Sequence, residues 1–401
     1  MKNKICIITA GILPVPDVKG GAIERLMTII ASENEKQELL DITIVGVWDA
    51  SAVKLQRQFS KTKFVNLMPK MTKSGILEKY EGKLRWHIRD WFGYDLHFYK
   101  HYNYLVDCFL KKEGSQFDMF ISEGYDYEAM ATASKLFGKE KVCWHLHMNP
   151  PFNSRIDKIF GKCVAVSQYI IDKYRAQSTN SLENTAVIFN GIDTTDFEHE
   201  ITSTQRHELR SALGLKDDDF VLVFCGRLVE VKGVKELIHA VLKTNNEHVK
   251  LLIIGSSNFG NGDVGSYPNE IKKLALEHKN TIKFTGYIDN KDLYKYHKIA
   301  DAGVIPSVYQ DPCPLSMFEM ITSGLPTIAT AAGGMVEIGN KECTIFVSID
   351  QIIDELSRAI NYLYNNPKVC DKMRLAAKSQ SLKFTKERFY QDFCNTIIKL
   401  I

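Results

Sequence analysis

At 401 residues, 45% hydrophobic and 25% charged, the chain is long enough for two domains of roughly 200 residues and too apolar for extensive disorder. Its 51 basic and 48 acidic side chains leave a formal charge of +3, a balance that argues against a dedicated nucleic-acid binder. No uncharged run reaches 18 residues, which excludes a membrane-spanning helix, and nine scattered cysteines without a C-x-x-C pair read as a reducing compartment.

The first apolar run, KICIITA (4–10), is soon broken by Gly11, Pro14 and Pro16, so it reads as a strand rather than a secretory leader, and a cytoplasmic protein is expected. Further strands are predicted at 41–47, 117–122, 141–147, 161–167 and 185–190. A second series follows at 219–226, 249–255, 281–286, 301–306, 326–330 and 343–348. Such near-continuous apolar runs suit strands covered on both faces, as in parallel sheets. Helical patterns between them, among them 21–35, 167–176, 232–244 and 314–324, give right-handed strand–helix alternation twice over. The expectation is α/β: two Rossmann-like, doubly wound domains, 1–195 and 196–382, with the final helix (383–401) packing back on the first.

Four stretches could carry chemistry. In GILPVPDVKGGAIERLM, Gly20 and Gly21 open a helix whose free N–H groups favour an anion, although a plain strand-to-helix turn would look the same. The nicotinamide fingerprint G-x-G-x-x-G is missing there. In FCGRLVEVKG a strand ends at Gly226, and Arg227 and Lys232 precede a helix, an arrangement suited to a diphosphate or to two solvated cations. In YQDPCPLSMFEMITSGLPTIATAAGG, Asp311 lies in a loop. Pro314 fits the first turn of a helix, Leu315 and Ser316 follow, and Glu319 lies further along it. Finally, His145 and His147 in WHLHMNP share a strand face, and with no third ligand nearby in the sequence zinc is not expected.

In order, KGGAIERL, HLH, AVSQYI, NGID, GRLVEVKG, LLIIG, ADAGVIPS and DPCPLSMFEMITSGLPTIATAAGG resemble the family-4 retaining glycosyltransferases of the GT-B fold, most densely from about 220 to 340. The resemblance implies two domains facing across a cleft that holds a nucleotide-diphosphate sugar, UDP-linked as is common in the family. It implies that Gly20 and Gly21 approach the donor phosphates, that Arg227 and Lys232 neutralise the diphosphate, and that Leu315 and Ser316 offer it backbone N–H groups. Glu319 would hold the ribose, Asp311 the sugar hydroxyls, and His147, more than His145, would face the sugar. Asn190 and Gly226 fall among the nucleotide-sugar-binding positions. Asp311 replaces the family's usual Glu and Pro314 a frequent Gly, which bears on donor choice.

The implied activity is metal-independent, retaining transfer of a hexose-type sugar to a glycan or lipid-linked acceptor. Segment 69–100, where Lys and Arg mix with Trp86, Trp91, Phe92 and Tyr94, suits peripheral contact with an anionic membrane at the inner face of the cell membrane; a solvated face with an aromatic underside fits equally. The alternatives are a silent transferase-like binding subunit and a nucleotide-sugar epimerase of related fold.

Overall fold

The computed structural model describes residues 2–68, 101–124, 128–150, 155–179, 182–256 and 266–401. Segment 69–100 lies outside them.

The apolar runs become parallel strands. Strands β1 (Lys4–Ile8), β2 (Asp41–Val47), β3 (Thr62–Leu67), β4 (Met119–Ser122), β5 (Val142–Leu146), β6 (Lys162–Ala165) and β7 (Thr185–Val187) form one sheet in the order β3-β2-β1-β4-β5-β6-β7. Strands β8 (Phe220–Cys225), β9 (Val249–Ile254), β10 (Ile282–Gly286), β11 (Ala302–Ile305), β12 (Thr327–Thr330) and β13 (Thr344–Val347) form a second, ordered β10-β9-β8-β11-β12-β13. Strand β3 is not foreseen in the sequence, because TKFVNL is an edge strand with little continuous apolar character. In both sheets consecutive residues alternate between two cores. Ile5 and Ile7 face one side of β1, Cys6 and Ile8 the other; Val221 and Val223 oppose Leu222 and Phe224 in β8.

Strand order reverses between β1 and β4 and again between β8 and β11. Such switch points open a crevice at the carboxyl ends of the strands, where open α/β sheets bind ligands. Five helices frame the two crevices and the joint: α1 (Ala22–Gln37), α2 (Gln168–Arg175), α3 (Val234–Lys243), α4 (Leu315–Thr322) and α5 (Lys386–Leu400).

Helix α5 belongs to the core of the first sheet. Phe389, Tyr390, Phe393, Cys394 and Ile397 recur at helical spacing and are buried with Ile5, Leu26 and Ile42. The Tyr390 hydroxyl donates to Asn34 Oδ1 at 2.6 Å and accepts from the Leu39 N–H at 3.1 Å. Burial of each large apolar side chain contributes about 1.5–3 kcal/mol and each hydrogen bond about 1 kcal/mol, so packing holds the helix there.

The chain thus crosses between lobes near 188–194 and returns near 382–385. The crossings meet where the Ile192 N–H donates to the Phe384 carbonyl at 2.9 Å. A further clamp joins the lobes at α2, whose Ser167 cap makes no side-chain hydrogen bond. Glu337, beyond β12, accepts instead from the N–H groups of Gln168 (2.7 Å) and Tyr169 (2.8 Å), placing its charge at the positive helix end.

Candidate active site

At the second switch point, β8 ends at Cys225 and is followed by Gly226 and the exposed Arg227. One 3-10 turn, Glu230–Lys232, then presents Lys232. Its Nζ lies 2.5 Å from Asp311 Oδ2 and 5.3 Å from the centroid of the Tyr309 ring. The same carboxylate oxygen accepts from Ser307 Oγ at 3.3 Å. Asp311 is only 3% exposed, so the lysine meets most of the cost of burying its charge. Burial and the neighbouring Asp311 carboxylate together push the Tyr309 phenol above its ordinary pKa.

The Asp311 loop is fixed from behind by the glycine pair that ends the motif. Gly334 N–H donates to the Asp311 carbonyl at 2.9 Å, and Gly333 N–H to Gln310 Oε1 at 2.7 Å. Gly333 has φ +58°, and a Cβ there would collide with the Asp311 backbone. Pro314 proves to be the N-cap of α4, with φ −69° and ψ 122°, one position outside the helical turn expected of it. Leu315 and Ser316 are the first two helical residues, positions whose N–H groups have no intrahelical acceptor.

At the first switch point, Gly20 (φ +77°) and Gly21 (φ +100°) turn the chain into α1. Glu24, in the first turn, is buried with its carboxyl folded over Gly21. Burial, reinforced by the Asp17 and Glu123 charges, raises its pKa to about 7. Arg25, on the same turn, crosses to the other lobe, where its Nη1 lies 2.8 Å from Glu319 Oε1. Glu123 immediately follows β4 and is fully buried. Its Oε1 is 2.9 Å from His145 Nδ1 and its Oε2 2.7 Å from His147 Nε2. Burial opposes ionisation of Glu123, but the two imidazoles outweigh it and hold the pKa at about 2. Burial and the adjacent His145 lower the pKa of His147.

The residues singled out in the sequence therefore gather at the two switch points. Lys232 and Asp311 are in contact, whereas sequence reading gave Lys232 to the diphosphate and Asp311 to the sugar hydroxyls. Glu319 faces Arg25. His147 is less buried than His145, and the loop it opens touches the Asp311 loop through Asn149 Nδ2, which donates to the Gln310 carbonyl at 3.2 Å. Asn190 lies at the joint, buried, donating to the Cys313 carbonyl at 3.3 Å.

Sequence reading missed Arg25, Glu123, Ser307 and Tyr309. The usable signal for Glu123 was its place one residue past a parallel strand. Glu123 also corrects the ground on which a metal was set aside. With His145 and His147 it offers three ligand atoms within 4.8 Å of one another.

Two facing Rossmann-like lobes, with cations, acids and a glycine turn meeting at their switch points, define the GT-B architecture. Residues 205–380 match the family described as glycosyl transferases group 1. Spore coat protein SA of Bacillus subtilis is 26% identical over 341 residues, covering 84% of this chain and 82% of that protein. An uncharacterized glycosyltransferase of Methanocaldococcus jannaschii is 33% identical over 153 residues, 38% of this chain and 37% of the relative, so that match spans little more than a third of either. The crystal structure of Anabaena HepE in complex with UDP and glucose superposes with a TM-score of 0.73 at 19% identity, covering 99% of this chain and 100% of that one. Residues 205–380 thus resemble the group 1 glycosyl transferases, and the fold of the whole chain is the GT-B fold.

Proposed function

We propose that the protein is a retaining glycosyltransferase that moves a hexose-type sugar from a UDP-sugar to a glycan or lipid-linked acceptor without needing a metal ion. The observation that carries this reading is the convergence of Arg227, Lys232, Asp311 and the start of α4 at the β8/β11 switch point. The UDP and glucose of the HepE complex support the choice of donor, since that protein shares the fold.

In this reading the diphosphate lies between Arg227, Lys232 and the N–H groups of Leu315 and Ser316. These stabilise the charge that builds on the leaving phosphate. Glu319 takes the ribose hydroxyls, and Asp311, oriented by Lys232, takes a sugar hydroxyl. The acceptor hydroxyl oxygen bonds to the anomeric carbon on the face the diphosphate leaves. The carbon–oxygen bond to phosphate breaks with its electron pair going to phosphate, and the hydroxyl proton follows to that oxygen. Gly20, Gly21 and His147 line the opposite wall. Peripheral membrane contact through 69–100 belongs to the same reading of the acceptor.

A thermal-shift panel of nucleotide diphosphates and nucleotide sugars tests it, because a ligand that binds only the folded state raises the Tm. A rise with UDP and UDP-hexoses, with transfer persisting in EDTA, supports the reading. No shift with any nucleotide sugar rejects it. Binding without turnover leaves a silent binding subunit, and epimer formation without acceptor an epimerase.

A further inference from the structure

Glu123 has no part in the scheme above, yet its side chain is fully buried. Its backbone is fixed: its N–H donates to the Ile8 carbonyl at 2.9 Å, and the following Gly124 packs on Ala10 and accepts from Trp144 Nε1 at 3.1 Å. Its two carboxylate oxygens are divided between two imidazoles whose centroids are 4.2 Å apart.

The hydrogen-bond accounting is restrictive. An ionised carboxylate only accepts, so the nitrogens facing it, His145 Nδ1 and His147 Nε2, must both carry protons. His145 Nε2 is buried without a partner. In neutral His147 the proton at Nε2 leaves Nδ1 as an acceptor. Among the described residues His147 borders a small cavity shared with Ile23 of α1, beside the Gly20–Gly21 turn.

We propose that Glu123 is a positioning residue for sugar transfer: by holding His147 through Nε2–H, it fixes the tautomer and orientation in which Nδ1 receives a hydroxyl of the donor sugar. The proposal rests on the functional reading above, since it takes His147 as facing the sugar. A wrongly protonated imidazole in the right place is catalytically poor, which is why an acid buried behind it matters.

Glu123→Gln is the informative variant, because an amide keeps the size but cannot accept from both rings. One carboxamide edge would donate, forcing one imidazole into the other tautomer. Expected are a fall in kcat of about 10- to 100-fold, UDP affinity within about twofold of wild type, and little further loss when Glu123→Gln is added to His147→Ala. Nitrogen-15 spectra of histidine-labelled protein report the tautomer directly, with His147 assigned by comparison with His147→Ala. The wild type should show the Nε2–H form and Glu123→Gln a changed pattern at His145 or His147.

Wild-type kcat in Glu123→Gln, multiplicative losses in the double variant, or an Nδ1–H tautomer in the wild type would overturn the proposal. So would stoichiometric binding of added zinc lost in His145→Ala, which would make the cluster a metal site. If the wild type turns over no nucleotide sugar, the functional reading fails, while the spectra still decide whether Glu123 sets the tautomer.

Discussion

Arg25 Nη1 lies 2.8 Å from Glu319 Oε1, and this contact joins the first helix of one lobe to the motif helix of the other across the cleft. The two side chains are 12% and 8% exposed, so the pair is poorly screened. A ribose reaching Glu319 must share it with a guanidinium already in place. Arg25→Met removes one positive charge from the cleft and leaves Glu319 uncompensated. UDP affinity should fall by about tenfold while binding of uncharged uridine holds or improves, a contrast that calorimetry on both ligands would register.

The proposed diphosphate site is best probed at Arg227, because that side chain is exposed and its loss should leave the fold intact. Arg227→Ala should lower kcat/KM by about 10²- to 10³-fold with Tm nearly unchanged. Lys232→Ala should be as damaging to turnover and should also lower Tm, since it strands the buried Asp311 carboxylate. Wild-type rates in both variants would remove the phosphate assignment.

Two acids give stability opposite pH dependences. Glu24, raised to about 7 by burial and by the Asp17 and Glu123 charges, holds its proton more tightly folded than unfolded. Its stabilising protonated form is fully present below about pH 4.5 and is lost as the pH rises through 7, a change of at most about 3 kcal/mol. Glu24→Gln should therefore raise Tm at pH 8 and change it little at pH 4.5. Glu123, held at about 2 by its imidazoles against the pull of burial, contributes stability above pH 4.5 that disappears as the pH falls toward 2. Melting curves across pH for wild type and Glu24→Gln separate the two windows.

Gly333→Ala places a methyl group against the Asp311 backbone at a left-handed φ. It should cost about 2 kcal/mol or more and displace the acid, lowering both Tm and kcat. Ala331→Ser, two residues earlier and exposed, is the control expected to leave both unchanged.

The alternating strands and helices were legible because a strand covered on both faces must be apolar along its length. TKFVNL escaped because an edge strand has no such need. The α4 motif was legible for a similar local reason, with Pro314, the acids and the closing glycines all within one short stretch. Arg25 and Glu319 are 294 residues apart, and Glu123 reaches His145 and His147 from 22 and 24 residues away, so no spacing rule ties them. Their meeting is a property of strand order. The mutual pairing of Lys232 and Asp311 was obscured for another reason: each alone is well explained by a ligand, and only burial of the carboxylate shows that it needs a cation beforehand.

Because the polypeptide passes between the halves twice, and the outgoing and returning strings are hydrogen-bonded where Ile192 meets Phe384, one broken peptide bond is not enough to part them. A protease nicking near residue 200 would yield two fragments on a denaturing gel that still migrate together under native conditions. Any motion that opens the mouth for entering and leaving molecules must twist this double cord, which limits how far the jaws can swing.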